Sequence, residues 1–187
     1  MLSKSELRAK IKEEMANLDY AKKDIMDKKI RNSIYSLKEY RLANTIFTYV
    51  SKDKEVGTID LINHSISLGK TICVPLTKID NNSLEIREIK DLTDLKIGNF
   101  DILEPNEKTK IINPKEIELS FIPGLAFGIG CDRLGRGGGY FDRFLMSSRG
   151  LKVGLAYEFQ IFDSLPVQKH DIKMDRIITT KRIINCV

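Results

Sequence analysis

Apolar positions along the chain change their period several times, and each change marks an element. Leu7, Ile11, Met15 and Leu18 recur at helical spacing behind Ser3 and Glu6, a pair spaced for a capping box, which predicts a first amphipathic helix. Ile25, Met26, Ile30, Ile34 and Leu37 line one side of a second. The β-branched and aromatic run from Thr45 to Val50 reads as a strand, followed by a helix from about Thr58 to Leu68 that Gly69 ends. Thr71 to Val74 forms another strand, stopped by Pro75, and Asn81-Asn82 reads as a turn before the alternating Leu84, Ile86 and Ile89. Between Asp91 and Pro114, Gly98, Pro105 and Pro114 suit an irregular connection with short strands. Ile117 to Ile122 is expected to be a central strand that leads into a glycine-rich loop. A helix from about Gly139 to Ser148, a strand at Lys152 to Ala156 and a terminal strand pair at Arg176 to Thr180 and Lys181 to Ile184 complete the pattern.

Strands alternating with helices predict an α/β fold: an open three-layer α/β/α sheet, Rossmann-like, with a glycine-rich phosphate loop between a central strand and a helix. Ligands are then expected outside strand ends. At 187 residues and 42% hydrophobic content, the chain has material for one sizeable core, so residues 1–187 are read as a single domain. The net charge of +5 suits anionic ligands, nucleic acid among them, but the basic residues are interleaved with acids and Trp is absent. No concentrated nucleic-acid stripe stands out. Three cysteines, Cys73, Cys131 and Cys186, lack metal-ligand spacing and read as reduced thiols. No apolar run approaches the length needed to cross a bilayer, so a soluble, cytoplasmic protein is expected.

The richest chemistry lies in Phe121 to Leu145, FIPGLAFGIGCDRLGRGGGYFDRFL. It matches neither the P-loop pattern nor the G-x-G-x-x-G fingerprint. Gly135, Gly137, Gly138 and Gly139 nonetheless let backbone N–H groups approach an anion, while Arg133 and Arg136 add planar donor forks matched to phosphate oxygens. The following helix aims its positive dipole end at the same place, and Asp142 can hold a divalent cation beside it. The rival is a flexible surface loop with solvated arginines. Apolar Leu119, Phe121 and Ile122 before the loop, and Tyr140, Phe141, Phe144 and Leu145 after it, argue for a loop held at both ends. Cys131 lies in this segment without a nearby His to act as its base.

PGLAF, then RLGRGGGYFDRFL, then HDIKMD around Asp171 to Asp175 resemble the 5-formyltetrahydrofolate cyclo-ligase family, also called 5,10-methenyltetrahydrofolate synthetases. The K-x-x-L-R pattern at Lys4, Leu7 and Arg8, the segment KEVGTIDLI from Lys54 to Ile62, and His170-Asp171 occur in the family's order. Two positions depart from it: Gly128, where the family often has Asp, and Phe141, where it has Tyr.

The resemblance implies an ATP- and Mg²⁺-dependent ligase of one-carbon metabolism that cyclises 5-formyltetrahydrofolate to 5,10-methenyltetrahydrofolate. It implies ATP binding by Lys4, Arg8 and the loop Arg133, Leu134, Gly135, Arg136, Gly137, Gly138, Gly139, Tyr140 and Phe141. It implies folate binding by Val50, Glu55, Arg136, Gly137, Gly138, Gly139 and Tyr140, with Arg136 and Tyr140 as catalytic groups. Asp142 and Asp171 are the implied Mg²⁺ ligands. From the residues alone, Lys4 and Arg8 also read as a solvated helix face, Glu55 as a loop acid, Asp142 as a cap or arginine partner, and Asp171 as a partner of His170. The partners expected are 5-formyltetrahydrofolate and ATP, with no nucleic acid, no membrane and a monomeric chain. The alternatives are a non-catalytic polyanion or RNA-binding module and another ATP-dependent small-molecule ligase on the same scaffold.

Overall fold

The capping box expected at the amino-terminal end forms: Ser3 Oγ accepts from the Glu6 N–H at 3.3 Å, and the Glu6 carboxylate accepts from the Ser3 N–H at 2.7 Å. The computed structural model describes residues 2–168 and 171–186, so His170 of the family pattern lies outside the described residues. Chain order is α1 (Lys4–Ala16), α2 (Tyr20–Ser36), α3 (Lys38–Leu42), β1 (Thr45–Phe47), α4 (Ile59–Ser67), β2 (Thr71–Lys78), β3 (Ser83–Ile89), β4 (Leu95–Ile97) and β5 (Leu103–Pro105). Then follow β6 (Leu119–Ile122), β7 (Ala126–Gly128), β8 (Arg133–Leu134), α5 (Tyr140–Ser147), β9 (Leu151–Leu155), β10 (Ile161–Phe162), β11 (Arg176–Ile178) and β12 (Ile183–Asn185).

The main sheet runs β12-β11-β9-β6-β1-β2-β3. Its inner strands β11, β9, β6, β1 and β2 are parallel, and β3 and β12 pair antiparallel at the edges, so the expected α/β sheet is mixed. Successive strand residues point to opposite faces, and both faces are covered. Ile46, Ile72, Phe121 and Ile178 pack in one apolar layer with Ile30 and Ile34 of α2, Tyr40 of α3 and Leu61 and Ile62 of α4. Their neighbours Phe47, Cys73, Ile122 and Ile177 pack in the other with Phe144 and Leu145 of α5. Leu7, Ile11 and Met15 of α1 instead cover Leu125, Ala126 and Leu134, beside the small sheet β10-β7-β8.

After β1 the chain adds β2 on one side, and β6 then pairs with β1 on the other. The loops leaving the carboxyl ends of β1 and β6 therefore part in opposite directions, which opens a crevice between them.

Four expectations need correction. Pro75 does not stop β2, which continues to Lys78: beyond Cys73 the strand is laddered to β3 alone, so a missing N–H on the other side breaks no ladder. The glycine loop does not follow the central strand directly, because the β7–β8 pair intervenes after β6. On α2, Ile25 is 57% exposed while Asp27 is buried, so the apolar face is rotated from the one the spacing suggests. Finally, Cys131 and Cys186 are joined as a disulfide, with Cα atoms 6.1 Å apart, and only Cys73 is free. The two lie on either side of the 174–175 segment, to whose backbone each is hydrogen-bonded, a proximity that spacing cannot show.

The core also holds weak acids in their neutral form. Burial pushes Tyr35 and the Cys73 thiol up to about 12, and raises Tyr40, Tyr49 and Tyr157 above their ordinary value of 10.0. Below the ordinary values of 9.0 for Cys and 10.0 for Tyr, native and unfolded chains carry the same protons on these groups. Above them the unfolded chain releases protons that the native chain keeps, so stability falls as pH rises. The unfolding free energy from urea titrations is expected to be level near about pH 8 and to drop steeply towards about pH 11. A level profile across that window would contradict the burial of these groups.

Candidate functional site

The crevice widens into a cavity of about 840 Å³, and every residue named above for ATP, folate or metal lines it. α1 supplies Lys4 and Arg8 from one face, as their i, i+4 spacing requires. The segment after β1 supplies Val50 and Glu55, and the segment after β8 supplies the glycine loop and the first turn of α5. Asp171 closes one side.

The charges in the cavity pair with one another. Lys4 Nζ stands 2.7 Å from Asp171 Oδ2, which also accepts from the Gln168 N–H. Arg136 Nη2 donates to Glu55 Oε1 at 2.6 Å, and the other Glu55 oxygen accepts from the Lys52 N–H at 3.0 Å. Arg133 Nη2 donates to Asp142 Oδ1 at 2.9 Å. These three pairs differ in environment. The Arg133 side chain is only 3% exposed and its Nε has no hydrogen-bond partner, whereas the Arg136 side chain is 57% exposed. Arg133 is thus a fixed, buried cation that orients Asp142, and Arg136 is the cation with room to move.

The glycine loop is held from two sides. Arg8 Nε donates to the Gly135 carbonyl at 2.9 Å. Arg143, one turn into α5, donates through Nε to the Asn82 carbonyl and through Nη2 to the Gly138 carbonyl, both at 2.7 Å. The Tyr140 hydroxyl donates to Asn82 Oδ1 at 3.0 Å, so the β2–β3 turn braces the loop. Gly137 at φ 110° and Gly139 at φ 68° occupy left-handed backbone that a side chain would strain. Gly135 and Gly138 do not. Phe141 packs between the two core layers with its ring 5.6 Å from the Arg133 guanidinium carbon. Gly128 sits in β7 at negative φ with ordinary space around its Cβ position, so no backbone demand explains its departure from the family pattern.

Sequence reasoning missed Arg143 and Asn82, and it missed the stretch from β4 to β5 as a cavity wall. There Phe100 exposes its ring at φ 58°, and Glu104, buried on β5, accepts from the Thr77 and Asn99 N–H groups at 3.1 Å. The tightly spaced Gly98 and Pro105 were the available signal, and they read as irregularity. Among the described residues, no three His, Cys, Asp or Glu side chains gather as a metal cage, and no helix is long and apolar enough to cross a membrane.

A family model described as the 5-formyltetrahydrofolate cyclo-ligase family matches residues 1–180. A Haemophilus influenzae 5-formyltetrahydrofolate cyclo-ligase is 29% identical over 181 residues, covering 94% of this chain and 96% of the relative. The mouse 5-formyltetrahydrofolate cyclo-ligase is 24% identical over 188 residues, covering 94% and 93%. The solved structure of Aquifex aeolicus 5,10-methenyltetrahydrofolate synthetase superposes with a TM-score of 0.88 at 32% identity, covering 98% of this chain and 92% of that one. The central mixed sheet and its helices are common to both.

The Arg133–Asp142 pair generates a stability prediction. Asp142→Asn leaves a buried guanidinium without its counter-charge, at a cost of roughly 1–3 kcal/mol in unfolding free energy once the partial exposure of Asp142 is allowed for. Denaturant titration checks it, and a change within about 0.5 kcal/mol would show that the pair does not hold the loop.

Proposed function

The chain belongs to the 5-formyltetrahydrofolate cyclo-ligase family, whose members cyclise 5-formyltetrahydrofolate to 5,10-methenyltetrahydrofolate with ATP, and we propose how the cavity carries out that reaction. The observation that supports the reading best is the convergence in one cavity of Lys4, Arg8, Glu55, Arg136 and Asp171, from segments far apart in sequence. A polyanion-binding surface needs no such enclosed meeting of both charge signs, and family membership makes the chain an enzyme.

Lys4, Arg8 and the loop from Arg133 to Phe141 take the ATP phosphates, the loop through its backbone N–H groups and the lysine and arginines through charge. Val50 supplies apolar wall, and the Glu55 carboxylate accepts hydrogen bonds from the pterin ring nitrogen and amino group. Gly137, Gly138, Gly139 and Tyr140 lie where both substrates meet. A formamide oxygen is a poor leaving group. Transfer of the γ-phosphoryl to it releases ADP and makes that oxygen part of a phosphate ester. N10 then bonds to the formyl carbon, the carbon–oxygen bond breaks, phosphate leaves with its electron pair, and N10 gives up its proton to solvent.

Such a transfer needs positioning and charge stabilisation more than an enzyme nucleophile. Arg136 is the group proposed to stabilise the transferring phosphoryl, since it is the exposed arginine of the loop and exchanges only one carboxylate contact to reach it. Tyr140, tied to Asn82, lines the wall beside it. Asp142 and Asp171 offer the one or two carboxylates with which proteins usually hold Mg²⁺ beside substrate phosphates, water completing the shell; when bound, the ion offsets phosphate charge. We read residues 1–187 as one monomeric, cytoplasmic catalytic domain whose sheet is used in the Rossmann-like way, with ligands at the strand ends.

Folate carrying ¹⁸O in its formyl group is expected to yield inorganic phosphate containing that label, read by mass spectrometry. Unlabelled phosphate would contradict phosphorylation of the formyl oxygen. Arg136→Ala is expected to lower turnover about 10²- to 10³-fold with an unchanged melting temperature. Near-normal turnover of the folded variant would remove Arg136 from the role.

A further inference from the structure

Asp27 lies in the middle of α2 and is 7% exposed, an unusual place for an acid. Its carboxylate is fully engaged. Oδ1 accepts from the Gly57 N–H at 3.0 Å and from the Tyr157 hydroxyl at 2.8 Å, and Oδ2 meets Lys23 Nζ at 2.6 Å. Gly57 has no Cβ, and one built there would stand 2.6 Å from Asp27 Oδ2, so glycine is what lets the carboxylate reach the backbone. The Tyr157 oxygen also stands 3.1 Å from the Glu55 carbonyl oxygen.

These contacts all bear on the segment 51–58, which carries Glu55 out from the end of β1. The Tyr49 hydroxyl donates to the Val56 carbonyl at 2.8 Å, and Ser51 and Thr58 close the segment's base through reciprocal backbone-to-hydroxyl bonds at 3.0 and 3.1 Å. The Glu55 backbone is therefore gripped from beneath by a buried tyrosine, and Gly57 by a buried carboxylate, while the Glu55 side chain projects into the cavity. Burial, and the negative charge of Asp27 beside it, raise the Tyr157 hydroxyl above its ordinary range, so it remains a donor at any working pH.

We propose that Asp27 and Tyr157 are positioning residues for folate recognition: they fix the 51–58 segment and so set where the Glu55 carboxylate stands. The proposal rests on the reading of Glu55 as the pterin-binding acid. A carboxylate that must meet two donors of the pterin at once tolerates little displacement, whereas Arg136 gives up its Glu55 contact to reach the phosphoryl, so loosening the Glu55 backbone weakens folate binding far more than nucleotide binding. Neither residue touches substrate. Asp27 acts over a sequence separation of 30 residues to Gly57 and 130 to Tyr157, which is why no motif includes it.

The test compares Tyr157→Phe, Asp27→Asn and Glu55→Gln in steady-state assays that vary 5-formyltetrahydrofolate and ATP separately, with melting temperatures for each. Tyr157→Phe keeps the core ring, so it carries the test even if Asp27→Asn folds poorly. It is expected to raise KM for the folate about 3- to 10-fold, with KM for ATP and kcat within about twofold of the parent. Combining it with Glu55→Gln is expected to add nothing to the folate KM, because there is no longer a carboxylate to aim. Equal rises in both KM values, or a lowered melting temperature with both KM values unchanged, would overturn the positioning role and leave a structural one. An unchanged folate KM in Glu55→Gln would instead overturn the reading of Glu55 and this proposal with it. A raised KM in Glu55→Gln beside an unchanged one in Tyr157→Phe overturns the proposal alone.

Discussion

The parting of the chain between β1 and β6 is the constraint on which everything else depends. Two adjacent parallel strands whose following loops leave in opposite directions must open a crevice at their carboxyl ends. The loop after β1 carries Glu55 to this crevice, and the chain after β6 brings the glycine loop to it. The α1 helix reaches it by packing Leu7, Ile11 and Met15 on the small β7–β8 sheet, which brings Lys4 to the cavity and Arg8 onto that loop. Both proposed substrate sites thus follow from one topological fact.

Charge then decides how the crevice is used. Of the charged side chains that face the cavity, six satisfy each other as Lys4–Asp171, Arg136–Glu55 and Arg133–Asp142. The pairs differ by burial in a way that separates their tasks. A guanidinium as enclosed as that of Arg133 cannot leave its partner without a large desolvation penalty, so it serves as scaffold. Arg136 is held by an exposed pair worth at most about 1 kcal/mol, a contact that phosphate oxygens readily replace. The carboxylate that holds Arg136 is also the one proposed to receive the pterin, so the two proposed substrate contacts meet in a single network.

Much of this was legible in the residues. Glycines and arginines between Phe121 and Leu145 pointed to the loop, and the i, i+4 pair on α1 pointed to two cations on one face. What escaped notice is as instructive. Asp27 sits among lysines and looks solvated, and only the rotation of α2 on the sheet shows that it is buried. Arg143 and Asn82 meet across 61 residues because the β2–β3 hairpin reaches the start of α5, a contact set by strand length beyond Pro75. The disulfide partners Cys131 and Cys186 come together through the 174–175 segment. Local patterns disclose periodicity and loop chemistry, whereas these contacts depend on how far each strand runs and how each helix is turned.

One cavity that brings ATP and a formyl folate together, and so closes a ring within the folate, is the central proposal. Absorbance in the methenyl-folate band, followed after mixing the purified protein with 5-formyltetrahydrofolate, Mg²⁺ and ATP and with each component omitted in turn, tests it most directly. A rise that requires all of them is the expected result. Folded protein that binds ATP yet gives no rise with the complete mixture would contradict it.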